Sequence, residues 1–215
     1  MRRFIVFIII SLIPIAVQAA EPVLERPHWS LEVKGGRFSP DISNWKDYYG
    51  KESTGHYAGT LAYKIIRQVE AGIEGAYIRD EGQGYAPAHA EITGNVKYEI
   101  APLSVFVLVR GIFKEEQWVV PYVGGGWTRV YYREEIENQP IVRGSANGYH
   151  GRAGVQFLLD GIDPKAATNF FLEYGVHHTY FFIEAQSISA KTTDAAGASI
   201  DLGGTSWLGG LLFEF

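Results

Sequence analysis

The chain has 215 residues, with 19 lysines and arginines against 24 aspartates and glutamates, and no cysteine. The acidic balance argues against a nucleic-acid partner, and the lack of cysteine excludes a lipoprotein anchor and a disulfide framework. Twenty-five glycines and 14% aromatic residues suit a sheet that curves tightly and carries aromatic girdles.

At the N-terminus, Arg2 and Arg3 precede an apolar run from Phe4 to Val17, interrupted by Ser11 and Pro14, and Val17-Gln18-Ala19 follows. A basic start, an apolar core and small residues at a cleavage site describe a secretory signal peptide over 1–20. Cleavage would leave Ala20 or Glu21 first and a mature domain over 21–215. The run is shorter than the roughly 20 residues of a spanning helix. The twin arginines also suit a Tat signal, but a barrel crosses the inner membrane unfolded, which favours the Sec route. Removing Arg2 and Arg3 leaves 17 basic against 24 acidic residues.

No later stretch shows a sustained helical period. Segments of period two recur instead, each closed by turn residues. Eight are predicted: Trp29 to Phe38, His56 to Ile65, Val69 to Arg79, one within Ile92 to Phe113, Trp118 to Tyr132, Gly148 to Leu159, Thr168 to Phe182 and Gly203 to Phe215. In the second, Tyr57, Gly59, Leu61, Tyr63 and Ile65 take one face, and Ala58, Thr60, Ala62 and Lys64 the other. In the third, Val69, Ala71, Ile73, Gly75 and Tyr77 oppose Glu70, Gly72, Glu74 and Ala76.

Short connections are expected at 66–68, 114–117 and 160–167, and long polar ones at 39–54, 80–90, 133–147 and 183–202. This alternation is that of a transmembrane barrel with short periplasmic turns and long external loops. Eight strands then put both termini in the periplasm. Hydrocarbon offers no partner for a free backbone group, so the sheet must close. The fold class expected is all-β, an eight-stranded antiparallel up-and-down transmembrane barrel. A soluble barrel or sandwich has the opposite facing, and periodicity alone does not distinguish them. The signal peptide, the loop alternation and the C-terminus decide.

That C-terminus reads Trp207, Gly209, Leu211, Phe213 and Phe215 at every second place, and ends on Phe. It is similar to the terminal strand by which outer-membrane barrels are recognised for assembly. Pro121-Tyr122-Val123-Gly124-Gly125-Gly126-Trp127 is likewise similar to a strand common in such proteins. On these residues the chain resembles the small eight-stranded outer-membrane barrels, the family of the OmpA transmembrane domain and the OmpX-like proteins. The resemblance implies lipid, lipopolysaccharide and the barrel-assembly machinery as partners, with Trp207, Leu211, Phe213 and Phe215 as the assembly signal. It implies no particular activity.

An eight-stranded barrel is only wide enough for side chains to fill. Glu32, Lys34, Lys64, Glu70, Glu74, Arg110, Arg152 and Glu173 are expected inside as an ion-pair plug, since a buried charge must be paired. A narrow ion-selective pore is the alternative. His177-His178-Thr179, placed at the outer end of the seventh strand, and His150 raise the possibility of lipid hydrolysis. The outer-membrane deacylases pair His with Ser, and here no Ser stands two residues beyond either His. No catalytic residue, cofactor or metal ligand is assigned. Glu134, Glu135 and Glu137, with Asp41 and Asp47, read as solvated loop acids, with divalent cations among lipopolysaccharide phosphates as the sharper alternative. Gly124-Gly125-Gly126 reads as strand curvature, and Asn147-Gly148 and Asp160-Gly161 as turns.

One irregularity is expected. Val96, Tyr98 and Ile100 are apolar on even numbers, whereas Leu103, Val105, Val107 and Val109 are apolar on odd numbers. Side chains alternate strictly, so a bulge or break is predicted at Ala101-Pro102, with Tyr98 and Val105 both facing lipid; the rival account places Ile92 to Ile100 in a part of the barrel protruding above the membrane, where facing is not enforced.

Overall fold

The computed structural model describes residues 26–42, 45–86, 91–114, 116–137, 140–193 and 199–215; the expected signal peptide lies outside them. The elements in chain order are β1 (Trp29–Pro40), α1 (Trp45–Tyr49), β2 (Thr54–Ile66), β3 (Val69–Ala86), β4 (Glu91–Arg110), β5 (Val119–Ile136), β6 (Val142–Leu158), α2 (Pro164–Tyr174), β7 (His178–Thr193), β8 (Ser199–Asp201) and β9 (Gly204–Glu214). β1 to β7 and β9 pair antiparallel with their chain neighbours, and β9 returns to β1, with Ser30 opposite Glu214. The result is a closed eight-stranded antiparallel barrel. β8 pairs only with β7, as a short hairpin at its end.

Residues opposite each other in adjacent strands share a face. Glu32 pairs with Thr60, Thr60 with Glu74 and Glu74 with Ser104, and evenness is handed on around the ring. Between the register shifts at Lys64/Ile66 and Gln83/Tyr85, the described even-numbered side chains of the barrel strands point inward and the odd-numbered ones outward. The outward set includes Trp29, Leu31, Tyr57, Leu61, Tyr63, Ile73, Tyr77, Val105, Trp127, Trp207 and Leu211, all exposed. The inward set carries most of the buried charge. This facing is that of a barrel in lipid, the reverse of a soluble one.

The strands outrun their sequence boundaries. β3 to β7 have 16 to 20 residues, although about 9–11 tilted residues cross a bilayer. Much of 80–90, 133–147 and 183–202 is therefore strand rather than loop. Apolar alternation stops where lipid ends, but backbone pairing does not.

The expected bulge at Ala101-Pro102 is absent. β4 pairs with β5 in one register from Val96 opposite Ile136 to Arg110 opposite Tyr122, with Pro102 opposite Val130. On the other side, Ile78 with Ile100 and Gly75 with Leu103 keep one register too. Val96, Tyr98 and Ile100 point inward and are buried, while Leu103, Val105, Val107 and Val109 point outward. Apolarity does not mark the outer face at this level, because the lumen itself is apolar there.

The predicted seventh strand, Thr168 to Phe182, is half wrong. Its first part belongs to α2, an 11-residue helix. Asp163 caps it, its carboxylate accepting from the Ala166 N–H at 3.0 Å; Pro164 fills the first turn; and Gly175 ends it at φ +71°. Pro near the start and Gly at the end are the usual helix punctuation. The connection from β6 to β7 is thus a helix and not a short turn. Glu173, expected in the lumen, lies exposed on α2.

The triple glycine does allow close strand approach. A Cβ on the inward position of Gly126 would collide with the Val105 carbonyl oxygen and the Phe106 Cα.

Candidate functional site

Among the described residues the lumen gathers the buried polar chemistry, and its contents lie in layers. The central layer joins β1, β3, β6 and β7. Lys34 Nζ lies 2.6 Å from Glu74 and 2.7 Å from Glu184. Arg152 reaches Glu32 at 2.7 Å, Glu74 at 3.1 Å and Glu184 at 2.7 Å. The Tyr122 hydroxyl donates to Glu184 at 2.8 Å, and the Gln186 amide donates to Glu74 at 2.6 Å. The Arg152 guanidinium also sits 4.9 Å from the centre of the Phe106 ring. Every ion in this layer is buried, and each has at least one opposite charge in contact, as burial requires.

A second layer closes the end where the chain enters and leaves. Arg110 binds Glu70 at 2.8 Å and also Glu214; Lys64 binds Glu214 at 2.5 Å; and the Ser30 hydroxyl donates to Glu70 at 2.9 Å. An apolar cluster of Ile112, Val120, Leu158, Tyr180, Phe182 and Leu212 fills in beside it.

The opposite end is closed mainly by apolar side chains, with one buried acid, Asp80, paired to Lys51 at 2.5 Å beside them. Phe38, Ile78, Tyr98, Ile100, Val130, Ala146, Ile188, Ala190 and Leu202 form a buried cluster, which Trp45 joins from α1. Trp45 stacks on Tyr49 at 4.0 Å and meets Tyr98 edge-on at 5.5 Å. The first inter-strand connection therefore folds an aromatic side chain into the mouth of the barrel.

The sequence-predicted charges divide clearly. Glu32, Lys34, Glu74 and Arg152 meet in the central layer, and Lys64, Glu70 and Arg110 at the chain-end layer. Glu173 joins neither. Glu184 and Glu214, with Tyr122 and Gln186, were missed. Both acids have even numbers within the strand register, so parity carried through β7 and β9 identifies them.

His178 stands at the chain-end rim rather than at the outer end, since β7 starts there opposite Glu214. Its Nδ1 lies 2.7 Å from Asp160, whose other oxygen accepts from the Thr179 N–H. Among the described residues no nucleophile completes that pair. His56 and Ser206, 150 residues apart, do form a histidine–hydroxyl contact of 2.7 Å. They are 0% and 1% exposed, between the ion pairs and the apolar plug. His150 faces the lumen edge-on to Phe106.

The acids considered for divalent cations are not gathered. Glu135 pairs with Arg133 at 3.0 Å, Glu137 accepts from the Asn95 N–H at 3.1 Å, and the Asp47 side chain lies outside the described residues. Among the described residues no three His, Asp or Glu side chains are placed to hold a metal ion. On the outer surface, Arg133 and Arg143 sit directly opposite each other in β5 and β6. Arg129 lies below them, bonded to Ser145 at 3.2 Å and set over the Tyr131 ring at 5.5 Å.

At the C-terminus, Trp207, Leu211 and Phe213 point outward, and the Phe215 backbone exchanges hydrogen bonds with Trp29 at 2.9 and 3.1 Å.

No protein-family model matches the sequence, and no curated protein is similar to it in sequence. Solved structures match its fold. The outer-membrane protein OprG of Pseudomonas aeruginosa aligns with a TM-score of 0.60 at 12% identity, over 88% of this chain and 97% of that one. Neisserial surface protein A aligns at 0.55 and 9% identity, over 87% and 97%. The N-terminal barrel domain of Pseudomonas aeruginosa OprF aligns at 0.50 and 12% identity, over 88% and 98%. The chain has the fold of the eight-stranded outer-membrane barrels, and at such identities the likeness extends to the fold alone.

Proposed function

We propose that the protein is an integral outer-membrane barrel with a closed lumen, acting as a structural or surface-interaction protein through its external connections. Both termini lie on the periplasmic side, residues 1–20 are removed as a signal peptide, and Trp207, Leu211, Phe213 and Phe215 serve recognition by the barrel-assembly machinery. The observation that carries the closed-lumen reading is the stacking of an apolar plug on two ion-pair layers. A conducting path needs a continuous polar route, and Phe38, Ile78, Ile100, Val130 and Leu202 interrupt it. Lipopolysaccharide is the expected partner at the outer leaflet. Arg133 and Arg143 stand directly opposite on the outer face; Glu135 and Glu99 offset Arg133, and a lipopolysaccharide phosphate is the proposed partner of Arg143.

Single-channel recording in planar bilayers tests the reading. A closed barrel leaves the baseline flat, with at most rare brief events. Sustained, voltage-independent openings by the folded protein would replace this function with a pore.

A further inference from the structure

Helix α2 is a puzzle of coverage. Isolated helices shorter than about 12–15 residues are marginal in water, and their stability comes from covering an apolar face. α2 has 11 residues and none of them is buried by the protein. Yet Ala166, Ala167, Phe170, Phe171 and Tyr174 share one face, at the helical spacing of three and four residues. Lys165, Thr168, Asn169 and Glu173 share the other, which only Leu172 interrupts. Phe170 meets Tyr174 at 5.6 Å and Phe171 meets His177 at 4.9 Å.

The apolar face borders a groove of about 410 Å³ whose walls include Ala166, Ala167 and Phe170 on one side and Thr179, Leu211 and Phe213 on the other. Leu211 and Phe213 belong to the outward face of β9, so the groove is continuous with the lipid-facing belt. Its acids are already engaged: Asp160 by His178 and Thr179, and Asp163 by the Ala166 N–H. What remains is apolar wall, which water fills poorly. The groove lies at the end of the barrel where the chain enters and leaves, because β7 begins beside Glu214.

We infer that α2 is an interfacial helix lying on the phospholipid leaflet at the chain-end side of the barrel, with a phospholipid acyl chain filling the groove between α2 and β9. The inference rests on the membrane-barrel reading above. An amphipathic helix with aromatic residues on its apolar face sits in the plane of the interface in this way. The device extends the lipid contact of the barrel beyond its strands and anchors the longest described connection at that end.

The chain has no cysteine, so a nitroxide can be placed at single introduced cysteines. The full mature protein is folded into phosphatidylethanolamine–phosphatidylglycerol vesicles. Labels replace Phe170 and Thr179 on the two groove walls, Asn169 and Glu173 on the polar face, and Val107 on the outer face of β4 as the barrel reference. Accessibility to oxygen, which dissolves in hydrocarbon, is compared with accessibility to a water-soluble nickel chelate. The expected result is an oxygen-to-nickel ratio several-fold higher at 170 and 179 than at 169 and 173, and close to the ratio at 107. Nickel access at 170 and 179 equal to that at 169 would mean a water-filled groove and overturn the inference. Labels at 170 and 179 shielded from both reagents would mean that α2 collapses onto β9, which overturns it as well. If Val107 itself is nickel-accessible, the membrane reading fails first. Heat-modifiable migration of each variant in detergent gels shows that the barrel has folded.

Discussion

Lys34 and Glu184, 150 residues apart in the chain, meet at 2.7 Å across the centre of the barrel. Neither has access to solvent. Lys34 also holds Glu74, so its removal leaves Glu32, Glu74 and Glu184 with Arg152 as their one cationic partner in the layer. Lys34→Ala is expected to destabilise the folded barrel by about 3–5 kcal/mol, the range for breaking a buried pair. Adding Glu184→Ala should restore part of that loss, because the uncompensated charge is then gone. Urea unfolding in lipid vesicles measures both. Equal losses that simply add would show that the two side chains act independently.

The wall at β4 offers a test of facing. Val107 points outward and Val130 opposes Pro102 inside the apolar plug. Val107→Arg places a charge toward hydrocarbon and should cost about 2–4 kcal/mol near mid-depth. Ile100→Ala, in the plug, should cost about 2–5 kcal/mol as a cavity mutation. A neutral Val107→Arg would put that face in water and reject the lipid-facing assignment.

Two glycines separate close approach from mere smallness. At Gly126 a Cβ meets the Val105 carbonyl and the Phe106 backbone, whereas at Gly151, on the outward face of β6, nothing lies within 4 Å. Gly126→Ala should therefore lower stability by about 1–3 kcal/mol, the usual cost of overpacking. Gly151→Ala should be neutral within about 0.5 kcal/mol, as for surface positions. Matching losses at the two sites would remove strand proximity as the cause.

The caps of α2 can be separated from the barrel. Asp163→Ala removes the acceptor for the Ala166 N–H, a loss of about 1 kcal/mol. Hydrogen exchange should quicken across 164–174 while β5 and β6 keep their protection. Unchanged exchange in that segment would mean that its contacts, and not its cap, hold the helix.

Much of this was legible in the residues. Period-two alternation located all eight barrel strands, at least in part, because lipid outside and a narrow lumen inside impose opposite chemistry on alternate side chains. Seven of the expected luminal charges lie inside because the same rule places them. The rule reads only contrast between faces, and where contrast fails so does the reading. At Val96, Tyr98 and Ile100 the interior is apolar, so the inward set looked like an outward one and a bulge was expected where the register runs straight. Beyond the lipid the strands go on as backbone hydrogen bonding, which leaves no hydrophobic trace.

The sequence by itself determined the class of the protein: a two-residue repeat marked the strands and the contrast between their faces, and the alternation of connections with the C-terminal pattern set closure and which face turns outward. The helix escaped the reading although Asp163, Pro164 and Gly175 punctuate it, because 11 residues are too few for a sustained helical period to stand out. Only the tertiary structure decided which charges are partners. Glu184 with Lys34, Glu214 with Arg110 and His56 with Ser206 join strands far apart in the chain. Pairing across a lumen depends on the stagger of the closed ring, and no short stretch of sequence records that stagger. Trp45 shows the same limit. Nothing in its local sequence distinguishes an exposed loop aromatic from one that turns back to seal the barrel, because its burial depends on Tyr98 and Leu202 being there to receive it.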